Sequence, residues 1–151
     1  TGNKMDYYPE YLKKEIDDLN NFIYTNINNG VYLCGFSQNQ NSYDEAVTNL
    51  FKALDHIDQQ LDGQQFLLGE NLTEADLRLI PTLLRFDLVY FTHFKCNIKR
   101  IKDYKNLSRY TADLYELKAI KETTNFEHIK RHYYYSHDII NPKRNTIFPF
   151  S

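Results

Sequence analysis

The sequence predicts an all-α domain, and three observations carry that reading. Apolar residues recur three and four apart in one stretch after another. Residues that cap helices stand just ahead of those stretches, and no run of alternating strand residues interrupts them. The longest apolar run, Leu77 to Phe94, follows the turn Leu67-Leu68-Gly69 and the segment Leu72-Thr73-Glu74-Ala75-Asp76, and it forms the predicted centre of the domain.

Taken in order, Leu12, Ile16, Leu19, Ile23 and Ile27 are spaced four, three, four and four, which predicts an amphipathic helix over residues 9–28. Asn28-Asn29-Gly30 reads as its end. The apolar segment Val31-Tyr32-Leu33-Cys34-Gly35-Phe36 is short and bounded by glycine, so no helix of its own is expected there. A polar loop over 37–41 follows. Ser42, with Glu45 three residues on, reads as the capping box of a second helix. That helix carries Val47, Leu50, Leu54, Ile57 and Leu61 on its buried stripe and stops at Asp62-Gly63. Thr73 reads as the N-cap of the central helix, with Asp76 reaching back to the N–H of Thr73 and Leu72 and Leu77 forming a hydrophobic staple. Leu77, Ile80, Leu84, Leu88 and Phe91 share one face, and Leu79, Leu83, Phe86 and Val89 cover much of the rest. A helix apolar nearly all round is a buried one, and Pro81 should bend it. A cationic connector over 95–105 leads to a helix bearing Leu107, Tyr110, Leu114 and Leu117. A short helix with Phe126, Ile129 and Tyr133 on one face comes last, followed by a tail punctuated by Pro142 and Pro149.

Composition narrows the function classes. The chain of 151 residues is one domain by length, long enough to bury roughly two-thirds of its extended surface. With 25% charged residues and a net charge of −2, it exerts no global pull on nucleic acid or membrane. Arg78, Arg85 and Asp87 break the run from Leu77 to Phe94, so no uninterrupted apolar stretch approaches the roughly 18 residues of a membrane helix. Cys34 and Cys96 lie far apart in no CxxC spacing, so no disulfide framework is predicted, and reduced thiols in a cytoplasmic protein are the expectation. Thr1 to Lys4 read as a cloning remnant ahead of Met5, and a chain that opens on Thr1 reads as a piece of something longer.

Several residues invite a chemical reading. Asp76 could serve as an acid, but a carboxylate three residues after a Thr cap at a buried helix start reads as a fold determinant, and so does Thr73. His128 and His132 stand one helical turn apart with His137 nearby, a spacing that can hold Zn²⁺. No carboxylate or thiolate is placed to complete the site, so no metal is predicted. The basic cluster Lys95, Lys99, Arg100, Lys102 and Lys105 is interleaved with Ile98 and Ile101, which fits a solvated connector face better than a nucleic-acid patch. Cys34 and Cys96 read as buried structural thiols. Thirteen Tyr and ten Phe without Trp make an aromatic-rich chain. Tyr133-Tyr134-Tyr135 is its most unusual local feature: tyrosine rings stack on aromatic ligands while their hydroxyls bond phenolic oxygens. Three consecutive side chains on a helix point in three directions, so at most two can serve one site. Tyr32, far upstream, is the other candidate for an aromatic pocket.

These segments together resemble the C-terminal helical domain of glutathione transferases, and within them the glutathionyl-hydroquinone reductases, or Xi class. Asn29-Gly30-Val31-Tyr32-Leu33-Cys34-Gly35-Phe36 is similar to that class's NGVYxxGF segment. Phe66-Leu67-Leu68-Gly69 with Leu72-Thr73-Glu74-Ala75-Asp76-Leu77-Arg78-Leu79 resembles the cap and core helix of the wider superfamily. Arg85-Phe86-Asp87, Val89-Tyr90, His93-Phe94-Lys95-Cys96-Asn97, and Asn125-Phe126-Glu127-His128-Ile129-Lys130-Arg131-His132-Tyr133-Tyr134 with Ser136-His137 and Ile140-Asn141-Pro142 narrow it to the class. The resemblance runs from Tyr8 to Pro149.

The resemblance implies a glutathione-transferase C-terminal-type bundle over 8–138, with 1–7 a cloning remnant or interdomain linker and 139–151 a Pro-containing tail. It implies an enzyme in which an N-terminal thioredoxin-like domain, absent from this chain, binds glutathione as co-substrate and supplies a cysteine in a Cys-Pro context. That cysteine attacks the thioether sulfur of a glutathionyl-hydroquinone, and a second glutathione resolves the mixed disulfide. The helical domain then supplies the pocket for the aromatic substrate, with Tyr32, Tyr133, Tyr134 and His137 as expected contacts, and the protein pairs as a homodimer. Two departures stand out. The chain contains no Cys-Pro, so it holds no catalytic residue of the family type. Its tail reads Asn141-Pro142-Lys143-Arg144 where the family tends to place a glycine soon after the proline. The alternative expectation is a non-catalytic module of the same fold that serves protein–protein contact.

Overall fold

Glycine 30, expected to end the first helix, is instead a packing residue. In the computed structural model, which describes residues 6–117, helix α1 (Lys13–Ile23) runs through a π turn (Tyr24–Asn28) directly into helix α2 (Asn29–Gly35). A Cβ on Gly30 would lie 3.3 Å from Leu50 Cδ1 of helix α3 (Gln40–Gln60), so the glycine brings α2 close against α3. Asn28 does not cap anything either. Its side chain donates to the Arg78 carbonyl and accepts from the Thr82 hydroxyl, both on helix α4 (Glu74–Arg85). Residues 31–36 are therefore mostly helical, contrary to the sequence expectation, because tertiary contacts at Asn28 and Gly30 override two weak local stop signals.

Helix α3 begins earlier than expected. Asn39, in extended conformation, accepts from the Ser42 N–H at 2.9 Å and is the N-cap, which makes Ser42 the third residue of the helix and not its cap. The predicted stripe Val47, Leu50, Leu54, Ile57 and Leu61 is buried. The helix ends at Gln60, and Gly63, at φ 73°, takes the left-handed conformation in the turn that follows, closed by the Gln64 N–H on the Leu61 carbonyl. Gly69, at φ 118°, closes a tight turn in which Phe66 and Gly69 exchange backbone hydrogen bonds. Strand-type pairing among the described residues is limited to that bridge.

The start of α4 is built on Asp76. Thr73 and Asp76 form the reciprocal capping box, and the Asp76 carboxylate is fully buried. Its Oδ2 accepts from the Thr73 N–H at 2.9 Å and the Thr73 hydroxyl at 3.4 Å. Its Oδ1 accepts from the Leu67 N–H at 3.0 Å and from the Tyr110 hydroxyl at 2.6 Å. One side chain thus ties the Phe66–Gly69 turn, the α4 cap and helix α5 (Lys105–Tyr115) together. The buried side of α4 and of the π turn after it (Phe86–Tyr90) is Leu79, Ile80, Leu83, Phe86, Val89 and Tyr90. Leu77, Leu84, Leu88 and Phe91, placed on the sequence's first stripe, are only half-buried. The helix ends at Arg85 and re-registers through the π turn, which a uniform 3.6-residue period cannot show. Pro81 sits inside α4 on its exposed side.

Burial is the main influence on Asp76 and raises its pKa, while the hydrogen bonds from Tyr110, Thr73 and Leu67 oppose the rise. A carboxyl whose folded value exceeds its unfolded value contributes stability below the unfolded value and loses it as pH climbs through the folded one. Tyr110→Phe removes the largest opposing bond. It should raise Asp76 further and steepen the loss of stability with rising pH above the ordinary carboxylate range. Urea unfolding across a pH series checks this; an unchanged slope would contradict the assignment.

Two further aspartates cap helices from a distance. Tyr104, at the N-cap position of α5, gives no side-chain capping bond; Asp58 of α3 accepts from the Asn106 and Leu107 N–H groups at 2.9 and 2.8 Å instead. Asp87 accepts from Ile101 and Lys102 at the short 3-10 turn Ile101–Asp103. The basic connector is spent on similar contacts. Lys99 lies 4.1 Å from the Tyr104 ring centroid, Arg100 4.0 Å from that of Phe91, and Lys105 pairs with Asp62. In the assembled bundle α1 packs on α4, α2 on α3, and α5 on both α3 and α4.

Candidate functional site

Tyr32 stands at the centre of an aromatic cluster that joins α2 to the segment after α4. Tyr32 and Phe36 are one turn apart on and just after α2 and stack nearly parallel, with centroids 6.5 Å apart and planes at 17°. Phe86, Tyr90 and Phe94 follow at intervals of four from the other side of the core. The Phe94 ring meets Tyr32 edge-on at 5.4 Å, Phe36 at 5.9 Å and Tyr90 at 5.0 Å. Tyr32 and Tyr90 also meet edge-on at 5.9 Å, and their hydroxyls lie 3.4 Å apart. Such edge-to-face pairs suit the quadrupole of each ring and fix the direction in which the tyrosine hydroxyls point.

Gly35 makes this arrangement possible. A Cβ there would fall 2.6 Å from Phe94 Cδ2 and 2.8 Å from its Cγ, so the ring occupies the space that any side chain would need. Phe94 is fully buried, whereas Phe36 remains 38% exposed and Leu33 54%. Tyr32, Leu33 and Phe36 therefore form an aromatic and apolar wall. That wall faces an open cavity of about 600 Å³ whose other side carries Ser42, Glu45 and Asn49 from the first turns of α3. Apolar walls with a few convergent polar groups are the usual make-up of a small-molecule site.

Of the residues expected from sequence to contact substrate, Tyr32 lies on this cavity. Tyr133, Tyr134 and His137 lie outside the described residues, as do His128 and His132. Among the described residues no group of three or more His, Cys, Asp or Glu side chains is placed to hold a metal ion. Cys34 and Cys96 are both buried and reduced. No helix among the described residues is long and apolar enough to cross a membrane. Sequence reasoning passed over Tyr90, Phe94 and Phe36 as the partners of Tyr32. Their signal was present: aromatic residues repeat at four-residue spacing in both segments, Tyr32 with Phe36 and Phe86 with Tyr90 and Phe94.

The fold and this site can be set beside known proteins. The family model for the glutathione S-transferase C-terminal domain matches residues 40–113. The glutathionyl-hydroquinone reductase YqjG of Escherichia coli is 52% identical over 137 residues, which are 91% of this chain and 42% of that protein. The glutathione-bound structure of YqjG superposes with a TM-score of 0.94 at 49% identity, covering 99% of this chain and 49% of the other. The glutathionyl-hydroquinone reductase PcpF of Sphingobium chlorophenolicum is 49% identical over 137 residues, 91% of this chain and 44% of its own length. A Xi class glutathione transferase from Natrialba magadii superposes with a TM-score of 0.95 at 45% identity, covering 100% of this chain and 46% of that one. This chain thus spans less than half the length of the curated relatives it matches. The chain belongs to the glutathione transferase C-terminal domain family, among relatives of the Xi class.

Proposed function

We propose that this domain is the substrate-binding half of a glutathione-dependent reductase that removes glutathione from glutathionyl-hydroquinones. The observation that carries the reading is the Tyr32 wall: a rigid aromatic surface, braced by Phe94 and Tyr90, beside a cavity large enough for a hydroquinone ring. The names of the relatives YqjG and PcpF point to the same chemistry. In this reading the ring lies against Tyr32, whose hydroxyl bonds a phenolic oxygen. Tyr133, Tyr134 and His137 join it from the C-terminal segment.

The reacting thiol belongs to a thioredoxin-like domain that lies outside this chain and binds glutathione. Cys34 and Cys96 are 1% and 0% exposed and carry no part of that step. The external cysteine thiolate attacks the sulfur of the thioether. The carbon–sulfur bond breaks, its electron pair and a proton go to the ring carbon, and free hydroquinone leaves. A second glutathione thiolate then attacks the mixed disulfide, freeing the cysteine and giving glutathione disulfide. A homodimer, which rests on the resemblance, and a cytoplasmic location, which rests on the cysteine spacing, complete the proposal.

The test is steady-state kinetics of the full-length protein with a glutathionyl-hydroquinone and glutathione. Tyr32→Phe should lower kcat/KM about tenfold, the loss of one hydrogen bond to a polar substrate, with unfolding unchanged. Wild-type turnover with an unaffected variant removes Tyr32 from the site. No turnover by the wild type favours the protein-interaction module, which the exposed Tyr11, Tyr24 and Leu33 would also suit.

A further inference from the structure

Cys34 and Cys96 are distant in sequence, yet the fold sets their thiols side by side. Cys34 lies in the last turn of α2, Cys96 follows the cluster residue Phe94 by two positions, and the residues on either side of Cys96, Lys95 and Asn97, share a cavity wall with Cys34. Cys96 Sγ also lies 3.9 Å from the Val31 carbonyl, one turn back on α2, and 3.8 Å from the Phe94 carbonyl. Between Phe94 and Cys96, Lys95 takes φ 61°, a left-handed conformation uncommon for a side-chain-bearing residue. The Tyr43 hydroxyl lies 2.6 Å from the Lys95 carbonyl and holds that turn in place.

The two sulfurs are not equivalent. Cys34 edges an open cavity of about 360 Å³ with Gln38, Tyr43, Lys95 and Asn97 on its wall, and Cys96 does not line it. The neighbouring Cys96 thiol holds the Cys34 thiol below the usual cysteine value against the opposing effect of burial. Burial first, then the neighbouring sulfur, pushes Cys96 well above it. Oxidation follows thiolate character and access, so Cys34 is the sulfur placed to react first and Cys96 the one placed to resolve it.

We propose that Cys34 and Cys96 are a thiol-oxidation site, at which hydrogen peroxide entering the cavity oxidises Cys34 and Cys96 closes an internal disulfide between α2 and the segment after Phe94. In the first step the Cys34 thiolate attacks one peroxide oxygen. The O–O bond breaks, hydroxide leaves and is protonated to water, and Cys34 becomes a sulfenic acid. In the second step the Cys96 sulfur gives up its proton and attacks Cys34. The S–O bond breaks, a second water leaves, and the disulfide forms. Two electrons pass from the sulfur pair to peroxide. A small oxidant suits the site because Cys34 exposes only 1% of its surface. The bond would tether the helix of Tyr32 to the segment of Phe94 and lock the aromatic cluster in one arrangement.

The experiment is to treat this chain, folded, with hydrogen peroxide, block remaining thiols in denaturant, and map the peptides without reduction. The chain has just two cysteines, so the products are unambiguous. The expected result is a single cross-link joining the Cys34 and Cys96 peptides within one chain. With dimedone present, Cys96→Ser should accumulate the adduct at Cys34, while Cys34→Ser should label at least about tenfold more slowly. Retention of both free thiols in the wild type overturns the proposal, and so does a cross-link between two chains. Preferential labelling of Cys96 does the same. The wild-type map decides the matter even where a serine variant fails to fold.

Discussion

Asp76→Ala is expected to cost about 3–5 kcal/mol of unfolding free energy, the range of substitutions that break a buried polar network. The loss has separable parts. Removing the capping box costs on the order of 1 kcal/mol at the start of α4. The Leu67 N–H and the Tyr110 hydroxyl then lose their acceptor inside the core, each at about 1–3 kcal/mol. Relief of burying a carboxylate returns part of this, because burial is what raises its pKa. Asp76→Asn is not a mild control. Each carboxylate oxygen accepts from two donors, so whichever one becomes an amide nitrogen faces two N–H or O–H groups it cannot accept from. The asparagine variant should therefore lose about half as much as alanine. Urea unfolding of the three proteins measures both; a cost below about 1 kcal/mol for alanine would show that Asp76 is only a local cap.

That hub shows what the sequence could and could not disclose. The capping box was legible because Thr73 and Asp76 are three residues apart and obey a local rule. Tyr110 and Leu67 were not, since their bonds to Asp76 depend on where α5 and the Phe66–Gly69 turn come to rest. The same division holds elsewhere. Buried stripes of α1 and α3 follow from periodicity, but Asp58 and Asp87 look like surface charges until a distant helix start arrives above them. Gly30 reads locally as a stop and acts tertiarily as a spacer. The π turn at 86–90 shifts the register of Leu88 and Phe91, whereas Leu77 and Leu84 precede it and lie on the half-buried flank of a helix apolar nearly all round, where periodicity does not single out the core side. At the candidate site, Tyr32 was singled out by its motif and lies on the cavity. The four-residue aromatic spacing points to Phe94 as its partner, but the close approach of that ring depends on the missing side chain at Gly35, which spacing does not show.

Gly35→Ala should accordingly be the most informative change at the aromatic cluster. Alanine gains roughly 1 kcal/mol in helix propensity over glycine. Against that, its Cβ would sit 2.6, 2.8 and 3.2 Å from Cδ2, Cγ and Cβ of Phe94, and real Cβ atoms do not approach so closely. The obstacle is the root of a ring and not the free end of a flexible chain, and Phe94 is fully buried with Tyr32, Tyr90 and Phe36 around it. Overpacking of this kind costs about 1–3 kcal/mol, and this geometry belongs at the upper end, for a net loss of about 2 kcal/mol. Gly30→Ala is the matched comparison on the same helix. Its Cβ would meet the end of a leucine side chain at 3.3 Å, where a small shift suffices, so stability should change little. Under the proposed function Gly35→Ala should also lower kcat/KM in the full-length protein more than its stability cost implies, because displacing Phe94 turns the Tyr32 ring. Combining it with Phe94→Leu frees the space and should recover part of the stability but not the turnover, since the brace for Tyr32 is then gone. Recovery of both together would mean that Tyr32 needs no such support, and a Gly35→Ala protein as stable as the wild type would mean that Phe94 is free to move.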